Sequence, residues 1–198
     1  KGVDWIFDTF FVYIKAFNTW LIVDVLQPMR ALYLRMPAVA TLVLAVGAGY
    51  LIGGVRSALV VAALTLFIAL SPWWDRALVT LYMATFGVVV SCLIGFTVGT
   101  LCFQNKKSAA FMLGVCDIFQ TFPSFVYLIP VMMLFGITDT SVLIAVIVYA
   151  TIPATRYTIE GLRSVPVGLH EAATMSGVNK FQRLTKIEFP LAFPHMML

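Results

Sequence analysis

Charged residues are scarce in this sequence. Its 198 residues include 13 Lys and Arg and 9 Asp and Glu, so 11% of the chain is charged while 61% is hydrophobic. A soluble domain of this size would have to expose far more apolar surface than water tolerates. The composition therefore excludes a soluble protein and predicts an integral membrane protein, which we expect to be all-α.

Residues with the chemistry of a catalytic or metal site are also few. The three cysteines, Cys92, Cys102 and Cys116, lie in or beside apolar segments, where a buried thiol acts as a small hydrophobic group. His170 and His195 are isolated and lack the spacing of metal ligands. The chain also lacks a Walker-type glycine loop for binding phosphate. We therefore expect no catalytic residue, disulfide, metal ion or bound cofactor, and no ATP hydrolysis by this chain itself.

The first 35 residues are amphipathic. If Asp4 to Thr19 is helical, most charged and polar side chains fall near one face, while Trp and Phe fill much of the remainder. This pattern is typical of a helix that lies in a membrane interface. A short spanning helix with buried charges is the alternative, although charge in hydrocarbon is costly.

Long apolar runs predict at least five spanning helices. Only Val55 and Arg56 separate the first two, which predicts a tight helical hairpin. The third is longer than a bilayer needs, so it must tilt or project. We expect the chain to be truncated in a sixth helix that starts at Ala192. The predicted spans are 36–54, 57–74, 77–105, 108–138 and 140–155.

A polar segment, 156–190, interrupts this apolar sequence. Ser164 and Pro166 favour the start of a helix. Gly177 favours its end, because glycine tolerates the left-handed turn that closes a helix. The chain thus divides into an N-terminal segment, a two-helix hairpin and a core that carries this loop, with predicted limits 1–35, 36–74 and 75–198.

A second short helix is predicted within the same loop. Asn179 and Gln182 have the spacing of a capping box, in which two side chains satisfy the first amides of a helix. The helix would cover Lys180–Glu188. We expect Pro190 to end or redirect it, because proline lacks a backbone N–H.

The loop resembles the EAA loop of ATP-binding-cassette importer permeases. The match consists of Glu171-Ala172-Ala173, then Gly177 after three residues, then Ile187 and Pro190, with Phe189 where the family usually has Leu. The resemblance implies a type I importer permease with the MetI-like transmembrane bundle. It also implies a cytoplasmic helix that docks in a groove of a separate ATPase subunit. The residues assigned to this coupling are His170, Glu171, Ala172, Ala173, Met175 and Gly177.

The distribution of basic residues indicates an orientation without using that motif. If residues 156–190 are cytoplasmic, alternation of the spans places eight of the 13 basic residues inside. The positive-inside rule favours this arrangement. The eight are Arg56, Lys106, Lys107, Arg156, Arg163, Lys180, Arg183 and Lys186.

The third span carries a ridge of small residues. Gly87, Ser91, Gly95 and Gly99 recur every four residues. Such spacing lets another helix approach closely in lipid, so we expect these residues to serve helix packing.

Within the fourth span, the stretch from Gln120 to Gly136 resembles the corresponding stretch of glycine betaine and proline importer permeases. Pro123 and Pro130 lie seven residues apart, which predicts two bends in one direction and a shape that could form a cavity. Aromatic faces there could attract a methylated ammonium group. The candidate path or gate residues, for which packing is the alternative role, are Gln120, Phe122, Pro123, Phe125, Tyr127, Pro130 and, from the fifth span, Tyr149.

Asp117 is the lone acid within apolar sequence. An intramembrane carboxylate suggests a functional role. Structural anchoring by a basic partner or by cytoplasmic water is the alternative. Nearby along the fifth span's exit, Arg156 and Glu160 have the spacing of a pair on one helix face.

These patterns predict the permease subunit of an ATP-driven importer for compatible solutes such as glycine betaine, proline, choline or trimethylamine N-oxide. The resemblance implies a bacterial inner membrane location and partners that comprise two ATPase subunits using ATP and Mg, a second permease copy, an extracytoplasmic substrate-binding protein and membrane lipid, with no nucleic acid. An ion-coupled secondary transporter or channel is the alternative. It predicts intramembrane charge pairs and an inverted repeat. A membrane scaffold without transport is a further alternative.

Overall fold

The computed structural model describes residues 2–166, 168–169, 173 and 175–196, and the side chains among them from residue 11 onward. These residues are almost entirely helical and include no strand. The prediction of an all-α protein is therefore confirmed. The helices are α1 (Gly2–Trp20), α2 (Gln27–Arg35), α3 (Ala38–Ala69), α4 (Trp74–Phe103), α5 (Lys106–Thr121), α6 (Phe125–Phe135), α7 (Asp139–Arg163), α8 (Lys180–Arg183) and α9 (Phe189–Met196).

Fewer helices are long enough to span a bilayer than the sequence predicts. Among the described residues, α3, α4 and α7 are long and apolar enough, and α5 with α6 makes a fourth crossing if this bent pair is one span. The chain is a multi-pass membrane protein by this measure. The count is three or four against the predicted five, because this measure takes the two arms of α3, which the sequence predicts as separate spans, as one helix.

The two arms of α3 fold back on each other. A Cβ added to Gly49 in the first arm would lie 3.0 Å from Cγ2 of Val61 in the second. A straight helix would separate residues at this spacing by about 18 Å. The predicted hairpin is therefore present, although each arm rises only about 22 Å, less than the ~30 Å of a hydrocarbon core.

The turn of this hairpin lies at Gly53 and Gly54 rather than at the predicted Val55 and Arg56. Gly53 has φ −137° and ψ 17°, and Gly54 has φ 67° and ψ −158°. The second conformation is open essentially to glycine alone, because a Cβ would clash with the backbone. The chain therefore reverses direction at Gly53 and Gly54, where glycine can adopt this backbone conformation.

The segment predicted as one span with two bends is instead two helices. The axes of α5 and α6 meet at 89°. Phe122 takes φ −80° and ψ 136°, because the residue before a proline is pushed from helical to extended backbone. Pro130, in contrast, lies inside α6, which continues around it. The prediction of two similar bends was therefore wrong, since Pro123 breaks the helix and Pro130 does not.

A π-helical segment precedes a proline at two places. Leu21–Leu26 precedes Pro28, and Leu184–Glu188 precedes Pro190. A proline ring clashes with the carbonyl four residues earlier, which here lies inside the π-helical segment. The wider π turn relieves this clash, so the helix continues. Of the two predicted effects of Pro190, to end or to redirect the second loop helix, the first is wrong, because helical structure runs from Lys180 to Met196.

The N-terminal segment is continuously helical from Gly2 to Arg35 through the first π-helical segment. Met36 then takes φ −64° and ψ 126°, which separates this segment from α3. Leu21 and Leu26 are buried, and most of the other side chains described in this segment are exposed or half-buried. Its placement in a membrane interface stays a prediction.

Two compact units divide the chain, residues 1–86 and residues 87–198. In the second unit α7 is the central helix, with Leu143, Ile159 and Leu162 at most 1% exposed. α9 packs on its C-terminal end, where Gly161 faces Met196. The loop that follows α7 is therefore attached to the best-buried helix of the unit.

Replacing Gly54 with Ala should destabilise the hairpin by about 1–3 kcal/mol, because alanine is strained at this backbone conformation. Thermal unfolding of the full-length protein in detergent measures the effect. Gly47→Ala is the control, since Gly47 has open space around its Cβ position and no positive φ. An equal melting temperature for the two variants would contradict the assigned turn.

Candidate coupling and transport sites

The small-residue ridge of α4 lies directly against α7. A Cβ on Gly95 would lie 2.5 Å from Cβ of Ala154, and one on Gly99 would lie 2.6 Å from Cβ of Thr158. Neither distance is sterically possible, so both positions require glycine for this approach. One turn earlier, the Ser91 hydroxyl shares its proton between the Gly87 carbonyl of its own helix at 2.6 Å and the Ile147 carbonyl of α7 at 3.2 Å. Between residues 87 and 103, α4 therefore contacts α7 almost backbone to backbone.

A cluster of charged and polar side chains joins α5 to α7. Arg156 Nη1 donates to Asp117 Oδ1 at 2.5 Å and to Gln120 Oε1 at 3.2 Å, while its Nε donates to Glu160 Oε1 at 3.0 Å. The predicted pairing of Arg156 with Glu160 is confirmed. Asp117 has the basic partner that the anchoring interpretation requires. The sequence did not identify that partner, because Arg156 is 39 residues away along the chain.

Aromatic side chains pack around the start of α6. Tyr127 is 8% exposed, and its hydroxyl donates a hydrogen bond to the Phe119 carbonyl. Its ring lies 6.2 Å from that of Phe119 and 5.8 Å from that of Tyr149, between centroids. Tyr127, in α6, thus contacts both α5 and α7. Tyr149 remains partly accessible, with 42% of its surface exposed.

The other candidate path residues lie at or near the break between α5 and α6. Phe122 and Phe125 flank Pro123 and are 46% and 64% exposed. Gln120, one turn earlier, is held by Arg156. Pro130 is exposed on α6, away from the break in sequence. The structure therefore brings four of the seven predicted residues, positions 120, 122, 123 and 125, to one exposed corner.

Part of the predicted coupling helix lies outside the described residues, namely His170, Glu171 and Ala172. Of its other residues, Ala173 is 5% exposed and Met175 is 91% exposed. Gly177 has φ 72°, and the Val178 N–H donates to the Ala173 carbonyl at 3.3 Å. This hydrogen bond belongs to a Schellman closure, so the predicted helix end at Gly177 is confirmed.

The sequence predicts that the coupling helix starts at Ser164 and Pro166, and this is correct for Pro166 alone. The Leu169 N–H donates to the Pro166 carbonyl at 3.0 Å, so helical structure follows Pro166. Ser164 instead ends α7, where its N–H and its Oγ both donate to the Gly161 carbonyl. Ser164 therefore caps the C-terminal end of α7 and does not start the helix that follows Pro166.

The second loop helix begins with the predicted capping box. The Gln182 N–H donates to Asn179 Oδ1 at 2.8 Å, and the Asn179 N–H donates to Gln182 Oε1 at 3.2 Å. Further along, Arg183 Nε lies 2.8 Å from Oε1 of Glu188, whose side chain is 3% exposed. Residues five apart face each other in a π turn, so the π-helical segment permits this pair. An α-helical spacing does not bring residues five apart together, so the pair is not evident from the sequence.

Within residues that the structure describes, no group of three His, Cys, Asp or Glu side chains could hold a metal ion. Cys92, Cys102 and Cys116 are free thiols, and the last two are buried.

The residues of the second unit match the sequence model of a family of transport proteins. A family model described as binding-protein-dependent transport system inner membrane component matches residues 87–198. The chain belongs to this family. Its matched residues are those of the second compact unit, which contains the ridge, the charged cluster and the polar loop. The resemblance to ATP-binding-cassette importer permeases, with their MetI-like fold, is thereby confirmed.

Relatives of this chain are named as permeases for trimethylamine N-oxide and for betaines. It is 86% identical over all 198 residues to a trimethylamine N-oxide transport system permease protein of Pelagibacter ubique, and 43% identical over 179 residues to one of Ruegeria pomeroyi. It is 30% identical over 198 residues to a glycine betaine/proline betaine transport system permease protein of Escherichia coli. The chain covers 28%, 27% and 55% of these relatives' lengths, respectively.

Gly95→Ala should loosen the contact between α4 and α7, because its Cβ would also come within 2.9 Å of the Ala154 and Thr155 backbone. We expect a loss of roughly 1–3 kcal/mol, the usual cost of overpacking. Thermal unfolding in detergent measures it. Gly114→Ala in α5 is the matched control, because nothing lies within 4 Å of its Cβ position. Similar melting temperatures would show that the backbones are not held this closely.

Arg156→Gln should destabilise the protein more than Asp117→Asn. The first change leaves two carboxylates near each other without the cation between them, whereas the second leaves Arg156 paired with Glu160. Thermal unfolding of both single variants and the double variant measures the coupling, which should be about 0.5–3 kcal/mol for residues in one network. Additive effects would mean that Asp117 is not anchored by Arg156.

Proposed function

We propose that the full-length protein is the membrane subunit of an ATP-driven importer for small methylated amines, with trimethylamine N-oxide as the foremost solute. The observation that carries this proposal is the 86% identity, across the whole chain, to a permease that is named for trimethylamine N-oxide. The permease named for glycine betaine and proline betaine is more distant, at 30% identity. Betaines are therefore the second solute class.

The proposed assembly follows from the permease family. Two copies of this subunit would pair in a bacterial inner membrane with two ATPase subunits, which use ATP and Mg, and with an extracytoplasmic binding protein that delivers the solute. The polar loop would face the cytoplasm. In support, Lys106, Arg163 and Lys180 line one cavity, so the turn between α4 and α5 lies at the same end of the second unit as the loop. The charge bias assumes the same arrangement.

The loop has the construction of a coupling element. Its first helix ends in a Schellman closure at Gly177, and the capping box at Asn179 starts α8 two residues later. Helical structure then continues to Met196, which packs on Gly161 of α7. We propose that an ATPase subunit moves the first helix and that this short joint passes the movement to α9 and α7.

Movement of α7 would reach two further helices. The glycine ridge connects α7 to α4, and Arg156 connects it to Asp117 of α5. The exposed corner formed by Gln120, Phe122 and Phe125 adjoins the α5–α6 break on the same helix pair. We propose that this corner contributes to the solute path, where the aromatic faces attract the methylated cation of a betaine and the apolar methyl groups of an amine oxide.

An ion-coupled transporter is the second candidate, because such a protein would carry charge pairs between spans and Asp117 with Arg156 is such a pair. The family membership favours the importer. Reconstituting the full-length permease with its ATPase and binding protein in proteoliposomes separates the two. Uptake of labelled trimethylamine N-oxide that requires internal ATP supports the importer, whereas uptake driven by an ion gradient without ATP would reject it.

Gly177→Ala should uncouple ATP hydrolysis from solute uptake, because alanine strains the backbone at φ 72° and displaces the joint. We expect uptake, and the stimulation of ATPase activity by solute, to fall by roughly tenfold while basal ATP hydrolysis continues, since the strain is of order 1–3 kcal/mol. Gly168→Ala in the same loop is the control, because nothing lies within 4 Å of its Cβ position and its φ is not positive. Normal coupling in both variants would reject this role for Gly177.

A further inference from the structure

A cavity of about 660 Å³ lies between three segments of the second unit. Its walls come from the turn that joins α4 to α5, from the C-terminal end of α7, and from α8 with the π-helical segment that follows. None of the candidate path residues lines it. The cavity is therefore separate from the corner at the α5–α6 break.

Basic side chains dominate the polar part of this cavity. Lys106, Arg163, Lys180 and Arg183 line it, together with a single carboxylate, that of Glu188. The carboxylate is already paired with Arg183 at 2.8 Å. No acidic side chain of the described chain forms an ion pair with the other three, so the cavity holds an excess of positive charge suited to an anion.

The remaining walls are apolar and lie at a membrane boundary. Phe103, Phe181 and Leu184 are among the lining residues, and they keep accessible apolar surface, with Phe181 73% exposed. α4, an apolar helix long enough to span a bilayer, ends three residues before Lys106, and α7, another such helix, ends at Arg163. Lipid phosphates lie near the ends of helices that span a bilayer, with acyl chains beside them. A free anion would use only the basic groups and leave the apolar wall wet.

We propose that this cavity binds the phosphate headgroup of an anionic phospholipid, with the apolar wall against the upper part of its acyl chains. Basic pockets between spanning helices recognise anionic headgroups in this way. The proposal does not depend on the solute. It adds a lipid contact to the base of the coupling loop, where Lys180 begins α8.

Native mass spectrometry of the full-length permease complex in detergent tests the site. Phosphatidylglycerol is titrated against Lys106→Gln/Lys180→Gln, and the matched control is Lys107→Gln/Lys186→Gln, because these exposed lysines are on the same segments but do not line the cavity. We expect the first pair to lower phosphatidylglycerol affinity about tenfold or more and the control to leave it unchanged. The affinity for phosphatidylcholine should be the same in both double variants as in the parent protein.

Three results would overturn the proposal. The first is equal phosphatidylglycerol binding by the two double variants. The second is saturable binding of inorganic phosphate, measured by calorimetry, that is as tight as lipid binding and is lost in Lys106→Gln/Lys180→Gln, since the site would then serve a free anion. The third is loss of the ATPase subunit from that variant alone, since the cavity would then receive an acidic protein segment. If the double variant does not fold, each single lysine variant is measured against its neighbouring control.

Discussion

The close contact between α4 and α7 is the constraint on which the second unit depends. Lipid provides no hydrophobic force between helices, so their association relies on van der Waals packing and on hydrogen bonds between helices. Gly95 and Gly99 allow the two backbones to approach, and Ser91 adds a hydrogen bond to the Ile147 carbonyl. α7 also packs against α5, α6 and α9. Every proposed functional element is therefore attached to α7.

Proline has three different effects in this chain. Pro123 breaks a helix, since the residue before it takes an extended backbone. Pro130 is accommodated within α6, and Pro190 follows a π-helical segment that lets the helix continue. The break creates an exposed corner, whereas the continuous helix connects the polar loop to α9. The surrounding backbone, and not the residue alone, decides which effect a proline has.

The polar groups of the second unit are concentrated where helices must be joined. Arg156 connects α7 to two side chains of α5, and the pair of Arg183 and Glu188 stabilises the turn that precedes α9. Charges of this kind are costly in hydrocarbon unless they are paired. Their pairing is consistent with anchoring, so the structure favours an anchoring role for Asp117 over a direct part in transport.

The sequence by itself determined the all-helical membrane class, the helix end at Gly177 and the capping box at Asn179, because these depend on composition or on residues within one turn of each other. The tertiary structure decided the partner of Asp117, the break at Pro123 and the cavity beside Lys106. The ion pair and the cavity require residues far apart in the chain to come into contact. The break requires packing to select between a bent and a broken helix at the proline. Local sequence cannot specify such contacts, because their energy arises only when the helices come together.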